Sequence, residues 1–183
     1  KYLKELQRNR IPENRDLDNG LRLNRNERVD GWGKKVLSDI FSNQKEYFLS
    51  IYPDLSTMKL YNSLAKYLDV DENQILLSSG MDGAFKTIWE IITKPGDSVG
   101  VIGPTYAMYY VYSKIFQTKL TEIGYNEKTL KLKWDELENF ILTKPKIMYI
   151  PNPNQPIEDT LSINQIRKLA ELANSNGTLL IID

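Results

Sequence analysis

The sequence predicts an α/β fold: a mostly parallel sheet with helices on both faces. Three observations predict it. Short apolar runs alternate with stretches of helical spacing from about residue 56 to the end. The runs are apolar throughout rather than at every second residue, as in strands covered on both sides. Turn formers such as Pro95-Gly96-Asp97 separate the two kinds of segment.

Residues 1–50 are mixed and polar with weak periodicity, and read as an N-terminal arm, or part of a small domain, carrying one or two helices. Residues 51–183 read as the front portion of a larger domain. A helix begins at Ser56, with Leu60, Leu64, Tyr67 and Leu68 on one face. Ile75-Leu76-Leu77 reads as a short strand. A helix over 81–93 is expected to turn Ala84, Ile88, Ile91 and Ile92 inward. Strands follow at 98–102, 119–123, 146–150 and 178–182, with helices at 106–116, 134–142 and 162–173 between them. Ser162 is the expected N-cap of the last helix and Gly177 its stop.

Composition narrows the chemistry. The 183 residues, 41% hydrophobic and 26% charged, suffice for one domain with a sizeable core. Twenty-four Lys+Arg balance 24 Asp+Glu, so no basic excess points to nucleic acid or an anionic membrane. The chain has no Cys and no His. Disulfide scaffolds, Cys/His zinc sites, Ser-His-Asp triads and Cys-His dyads are excluded within it. Chemistry here must rest on carboxylates, Lys, Tyr or a cofactor. No run reaches the ~18 consecutive apolar residues of a membrane span, and the first ten residues lack the apolar core of a signal peptide. A cytoplasmic setting is expected. The chain starts at Lys1 and stops at Asp183, directly after an apolar strand, which reads as a piece of a longer protein.

In parallel sheets, ligands gather at the carboxyl ends of the strands. Four segments lie there. Ser79-Gly80-Met81-Asp82-Gly83-Ala84 is a small-residue turn into a helix, where free N–H groups and the helix dipole favour an anion such as phosphate; an ordinary capped turn reads the same way. Gly103-Pro104-Thr105-Tyr106 brings an aromatic to a strand mouth, suited to stacking on a flat ring or simply to packing. Asn152-Pro153-Asn154-Gln155-Pro156 is a stiff, amide-rich loop, able to bind a ligand oxygen or to serve as a rigid turn. Asp183 places a carboxylate after four apolar residues, which calls for a cation or hydrogen bonds unless the loop is exposed.

Taken together and in order, these segments resemble fold-type I pyridoxal-phosphate (PLP) enzymes, in the histidinol-phosphate aminotransferase-like branch of the class I/II aminotransferases. The resemblance runs from about residue 20 to the end. Leu21 to Glu27 is similar to that branch's Asn-x-Asn-Glu segment, and Tyr52-Pro53-Asp54 to its Tyr-Pro motif. The turn at Gly80 is similar to its Gly-x-Asp phosphate turn, and Pro104 to Tyr109 to its Pro-x-Tyr-x-Met-Tyr segment. The strand ending in Asp183 resembles the one that precedes Asp-Glu-Ala-Tyr.

The resemblance implies an aminotransferase acting on a small-molecule amino donor, an amino acid or amino-alcohol phosphate, and a keto acceptor. Gly80, Met81 and Asp82 would hold the PLP phosphate through backbone N–H groups. Tyr106 would stack on the ring, and Asp183 would pair with the protonated pyridine nitrogen. Tyr52 would reach the cofactor of a partner subunit, making the active unit a homodimer. Asn24, Asn26, Glu27 and Asn154 would lie near the substrate. The family loop reads Asn-Asn-Pro-Thr-Gly, whereas here it is Asn154-Gln155-Pro156-Ile157-Glu158. Gln155 therefore takes the place of the Asn that donates to the phenolic oxygen of PLP, one methylene longer. The Schiff-base lysine of the family falls beyond Asp183, so the piece alone is expected not to turn over. A PLP-dependent lyase or decarboxylase shares every motif quoted, and a non-enzymatic α/β binding domain is the third reading.

Overall fold

The computed structural model describes residues 28, 31–42, 44–47, 50, 52 and 56–183. Asn24, Asn26, Glu27, Pro53 and Asp54 lie outside them. The described residues divide into two compact units, one ending at Leu77 and the other running from Ser78 to Asp183.

The first unit holds helix α1 (Lys34–Ser42), helix α2 (Ser56–Leu68) and a 3-10 turn at Glu72–Gln74. Helix α2 ends as the Val70 N–H returns to the Ala65 carbonyl at 3.1 Å. Ile75-Leu76-Leu77 is not a strand, contrary to the sequence expectation. Three apolar residues do not make a strand without a neighbour for their backbone groups. Here Leu76 is exposed, and the Leu77 N–H donates instead to the Tyr61 hydroxyl at 3.3 Å.

The second unit alternates helix α3 (Gly80–Ile92), strand β1 (Ser98–Ile102), helix α4 (Met108–Ile115), strand β2 (Lys119–Ile123), helix α5 (Trp134–Leu142), strand β3 (Ile147–Ile150), helix α6 (Ile163–Asn176) and strand β4 (Leu179–Ile182). The sheet is four-stranded, in the order β2-β1-β3-β4, and every pairing is parallel. This is the α/β architecture expected. The central strands are apolar along their whole length. The outer strand β2 is not, since Lys119, Thr121 and Glu122 face solvent, as suits an unpaired edge.

Alternation of side chains across the strands builds two cores. Val99, Val101, Ile147 and Tyr149 face Phe85 and Trp89 of α3 and Tyr109 and Tyr112 of α4. Ile102, Met148 and Ile150 face Leu137 and Ile141 of α5 and Leu169 and Ala173 of α6. The stripe of α3 that enters the first core is Phe85–Trp89, flanked by Ile88 and Ile92, and Ile91 lies outside it, 74% exposed. The bulk of Phe85 and Trp89 sets the helix rotation, and Ile91 falls on the far side of that stripe. Helix α6 ends as its sequence requires. Ser162 Oγ accepts from the Gln165 N–H, Gln165 Oε1 accepts from the Ser162 N–H at 2.8 Å, and Gly177 stops the helix at φ 69°.

Gly100 sits where the sheet and α5 come closest. A Cβ there would lie 2.3 Å from Phe140 Cε1 and 2.4 Å from Met148 Sδ. Gly100→Val is expected to lower stability by about 1–3 kcal/mol through overpacking, read as a lower urea midpoint at unchanged slope.

Candidate active site

Because the strands are parallel, all four carboxyl ends open on the same edge of the sheet. The turn after β1 carries Gly103, Pro104, Thr105 and Tyr106. The loop after β3 carries Asn152 to Pro156, and β4 delivers Asp183 beside it. The β3–β4 ladder continues past its named ends: Asp183 N–H donates to the Ile150 carbonyl at 3.1 Å, and Asn152 N–H donates to the Asp183 carbonyl at 2.8 Å. Pairing alone thus fixes where the Asp183 backbone stands.

A buried phenol fixes its side chain. Tyr109, fully buried in α4, donates its hydroxyl proton to Asp183 Oδ2 at 2.6 Å. Its ring is wedged between Phe85 (centroids 4.8 Å apart) and Tyr149 (5.0 Å). Burial, with the hydrogen bond to Asp183 and that carboxylate's charge, drives the Tyr109 pKa far above an ordinary phenol's. Tyr149, whose pKa is also raised by burial and by the charge of Asp183, stays neutral beneath it. Among the described residues no Lys or Arg pairs with Asp183, whose side-chain partner is a neutral donor.

The turn into α3 lies against the same group of tyrosines. Tyr112 donates to the Asp82 carbonyl at 3.1 Å, and the Tyr106 hydroxyl stands 3.5 Å from Asp82 Oδ1, the outer limit of a hydrogen bond. Tyr109 N–H in turn donates to the Tyr106 carbonyl at 3.3 Å. Tyr106, Tyr109 and Tyr112 therefore link the start of α3 to the end of β4 through one helix. At the α3 terminus, Gly80 has φ +68°, and a side chain there would meet nothing within 4 Å. Ser79 makes no side-chain cap bond. The Gly80 N–H donates to the Ser78 carbonyl at 2.9 Å, and the next N–H groups of α3, those of Met81 and Asp82, precede the first helical acceptor; Met81 itself is 46% exposed.

Sequence-predicted residues fall into three groups. Gly80, Met81, Asp82, Tyr106 and Asp183 come to one rim. Asn154 lies near it but inside, 1% exposed. Its Nδ2 donates to the Pro104 carbonyl at 3.2 Å and to the Tyr125 hydroxyl at 3.1 Å, tying the loop after β3 to the turn after β1. Its buried Oδ1 has no partner among the described residues. Gln155 is exposed at the tip of that loop. Tyr52, 94% exposed, belongs to the first unit. Sequence reading quoted Tyr109 only as the end of the Pro104 to Tyr109 segment and gave neither it nor Tyr110 a polar role, because among 11 tyrosines no spacing marks those that carry polar duties. Tyr110 donates to Glu122 Oε2, and the Glu122 stem lies 2.5 Å from where a Gly103 Cβ would stand.

These features define an α/β chain with a parallel sheet whose strand ends carry a helix start, a ring and a carboxylate, and comparison assigns the family. The model of the family described as aminotransferase class I and II matches residues 18–183, so the chain belongs to that family. Among its relatives is the histidinol-phosphate aminotransferase of Sulfurovum sp. (strain NBC37-1), 29% identical over 164 residues, which are 89% of this chain and 43% of the relative. The histidinol-phosphate aminotransferase of Caldanaerobacter subterraneus subsp. tengcongensis is 30% identical over 157 residues, 82% of this chain and 42% of that protein. The chain thus spans less than half the length of these curated relatives. A similar solved structure is histidinol-phosphate aminotransferase from Sinorhizobium meliloti in complex with pyridoxal-5'-phosphate, with TM-score 0.64 and 19% identity, covering 73% of this chain and 36% of that one.

The tyrosines generate a pH prediction. An unfolded phenol ionises near pH 10. Burial, then the bond to Glu122, push Tyr110 up to about 12. Tyr109 and Tyr149 are shifted further in the same direction. The fold keeps these protons where the unfolded chain has lost them, so their stabilising contribution is complete below pH ~10 and declines as pH rises above it. Phenolate absorbance of the native protein at pH ~11 should fall short of the urea-unfolded value, and the urea midpoint should drop between pH 9 and pH 11.

Proposed function

We propose that residues 18–183 supply the cofactor-gripping rim of a PLP-dependent aminotransferase, which moves an amino group from an amino acid or amino-alcohol phosphate to a keto acid. The observation that carries this reading is the convergence of an anion-ready helix start, an exposed ring and a carboxylate with no cation paired to it among the described residues, on one edge of a parallel sheet.

The residues fit the cofactor piece by piece. The Met81 and Asp82 N–H groups, at the positive end of the α3 dipole, would hold the phosphate. Gly80 leaves room for the phosphate to approach the backbone. Tyr106 would cover one face of the ring. Asp183, with no cation paired to it among the described residues, would hold the proton on the pyridine nitrogen. PLP, when bound, supplies an electron sink for the substrate's amino carbon, and the protein's share is to position it and to keep its nitrogen protonated. Gln155 would donate to the phenolic oxygen. Asn154 would keep that loop in place through Pro104 and Tyr125. The histidinol-phosphate aminotransferases among the relatives support an amino-alcohol phosphate as one donor to try first.

Asp183→Ala in the full-length protein should abolish transfer, a loss of at least about tenfold to a hundredfold for one charge-assisted hydrogen bond, while PLP still binds. The measurement is keto-acid production with a second amino acid as acceptor product. Released CO₂ without a new amino acid would assign a decarboxylase instead, and normal turnover in the variant would remove Asp183 from the reaction.

The homodimer and the role of Tyr52 belong to the same proposal. Its near-complete exposure leaves its hydroxyl available to a cofactor held by a partner subunit. Tyr52→Phe should weaken PLP retention roughly tenfold in the dimer, measured by dialysis at defined protein concentration. An unchanged affinity would take Tyr52 out of the site.

A further inference from the structure

We propose that Tyr109 is a positioning residue: its buried hydroxyl holds Oδ2 of Asp183, so that the other carboxylate oxygen is presented to the ring nitrogen of the cofactor. The inference rests on the proposed function above and gives a role to Tyr109, a residue to which the sequence motifs assign none.

Three features carry it. First, the bond is short, 2.6 Å, and comes from a side chain with no exposed surface. A phenol that stays protonated can only donate to a carboxylate, so the direction of this bond is fixed. Second, Tyr109 has no freedom to leave. Its ring contacts Phe85 and Tyr149 at centroid separations of 4.8 and 5.0 Å, and Phe85 itself lies edge-on to Tyr149 at 5.5 Å. Third, Asp183 has no competing side-chain partner among the described residues. The hydroxyl of Tyr149, buried in the same cluster, has no hydrogen-bond partner among the described residues. The carboxylate is therefore held by its backbone on one side, through Ile150 and Asn152, and by one phenol on the other.

A carboxylate has two oxygens and can serve two donors at once. With Oδ2 taken from inside the protein, Oδ1 is left for a donor arriving from the rim. Without Tyr109 the carboxylate would be free to rotate, and the ring nitrogen would lose the oxygen presented to it.

The test is Tyr109→Phe in the full-length protein, which removes one oxygen and keeps the ring that packs on Phe85 and Tyr149. Urea unfolding checks that the variant folds. Both proteins are loaded with PLP carrying nitrogen-15 in its ring, and the ring-nitrogen chemical shift reports protonation independently of turnover. Wild type should show a pyridinium nitrogen. Tyr109→Phe should show a shift displaced toward the neutral ring, with kcat lowered about tenfold and KM within threefold of wild type. Tyr109→His, which restores a donor inside the cluster, should recover part of the shift. A pyridinium signal identical in wild type and Tyr109→Phe overturns the role of Tyr109 and leaves the proposed function standing. A neutral ring in wild type, or no PLP bound, overturns both.

Discussion

The ladder between β3 and β4 is the interaction on which the rim depends. Asp183 is not placed by a loop searching for a pose. It is placed by two backbone hydrogen bonds that extend a parallel pairing beyond the last strand residue, to Ile150 and Asn152. Because β3 is a central strand and fully buried, its position is fixed by two cores at once. The proposed pyridine partner therefore inherits the rigidity of the sheet. The same pairing presents the Asn152 side chain, whose Oδ1 accepts from the Leu161 N–H at 2.8 Å and ties the far end of the loop.

Much of this was legible in the sequence. The strands at 98–102 and 119–123 and the helix at 134–142 have the bounds that their apolar spacing predicts. The strand at 98–102 is bracketed by Pro95-Gly96-Asp97 and Gly103-Pro104. The failures are physical in origin. Ile75-Leu76-Leu77 is as apolar as β4, yet it pairs with no strand among the described residues, since pairing is a property of a neighbour that the local sequence does not contain. Ile91 has the period of a buried face, but larger neighbours set the rotation of its helix. The rim residues that follow strands were visible because parallel sheets put ligands there. Tyr109 was not, because it reaches Asp183 across 74 residues of chain from inside a helix.

The loop after β3 departs from the family pattern at Gln155, Ile157 and Glu158 and yet keeps its anchors. Glu158 takes φ 59°, a backbone conformation in which Gly is the easier occupant. Asn154 bonds to Pro104 and Tyr125, and its backbone pairs with Asp159. The loop thus sits on a frame held by Pro104, Tyr125 and Asp159, with Gln155 exposed at its tip.

Parallel pairing has one more corollary, drawn from side-chain alternation. Strand residues point to opposite sides in turn, so sliding β4 along β3 by a single position would swing the terminal acid to the α5–α6 side of the sheet, away from its phenol. The two buried walls penalise that slip by turning Leu180 and Ile181 into each other's places. Chains that misalign there would still look folded by their helix content while lacking the acid where it is needed, so the hydrogen bond between Tyr109 and Asp183 doubles as a proofreading mark for correct threading.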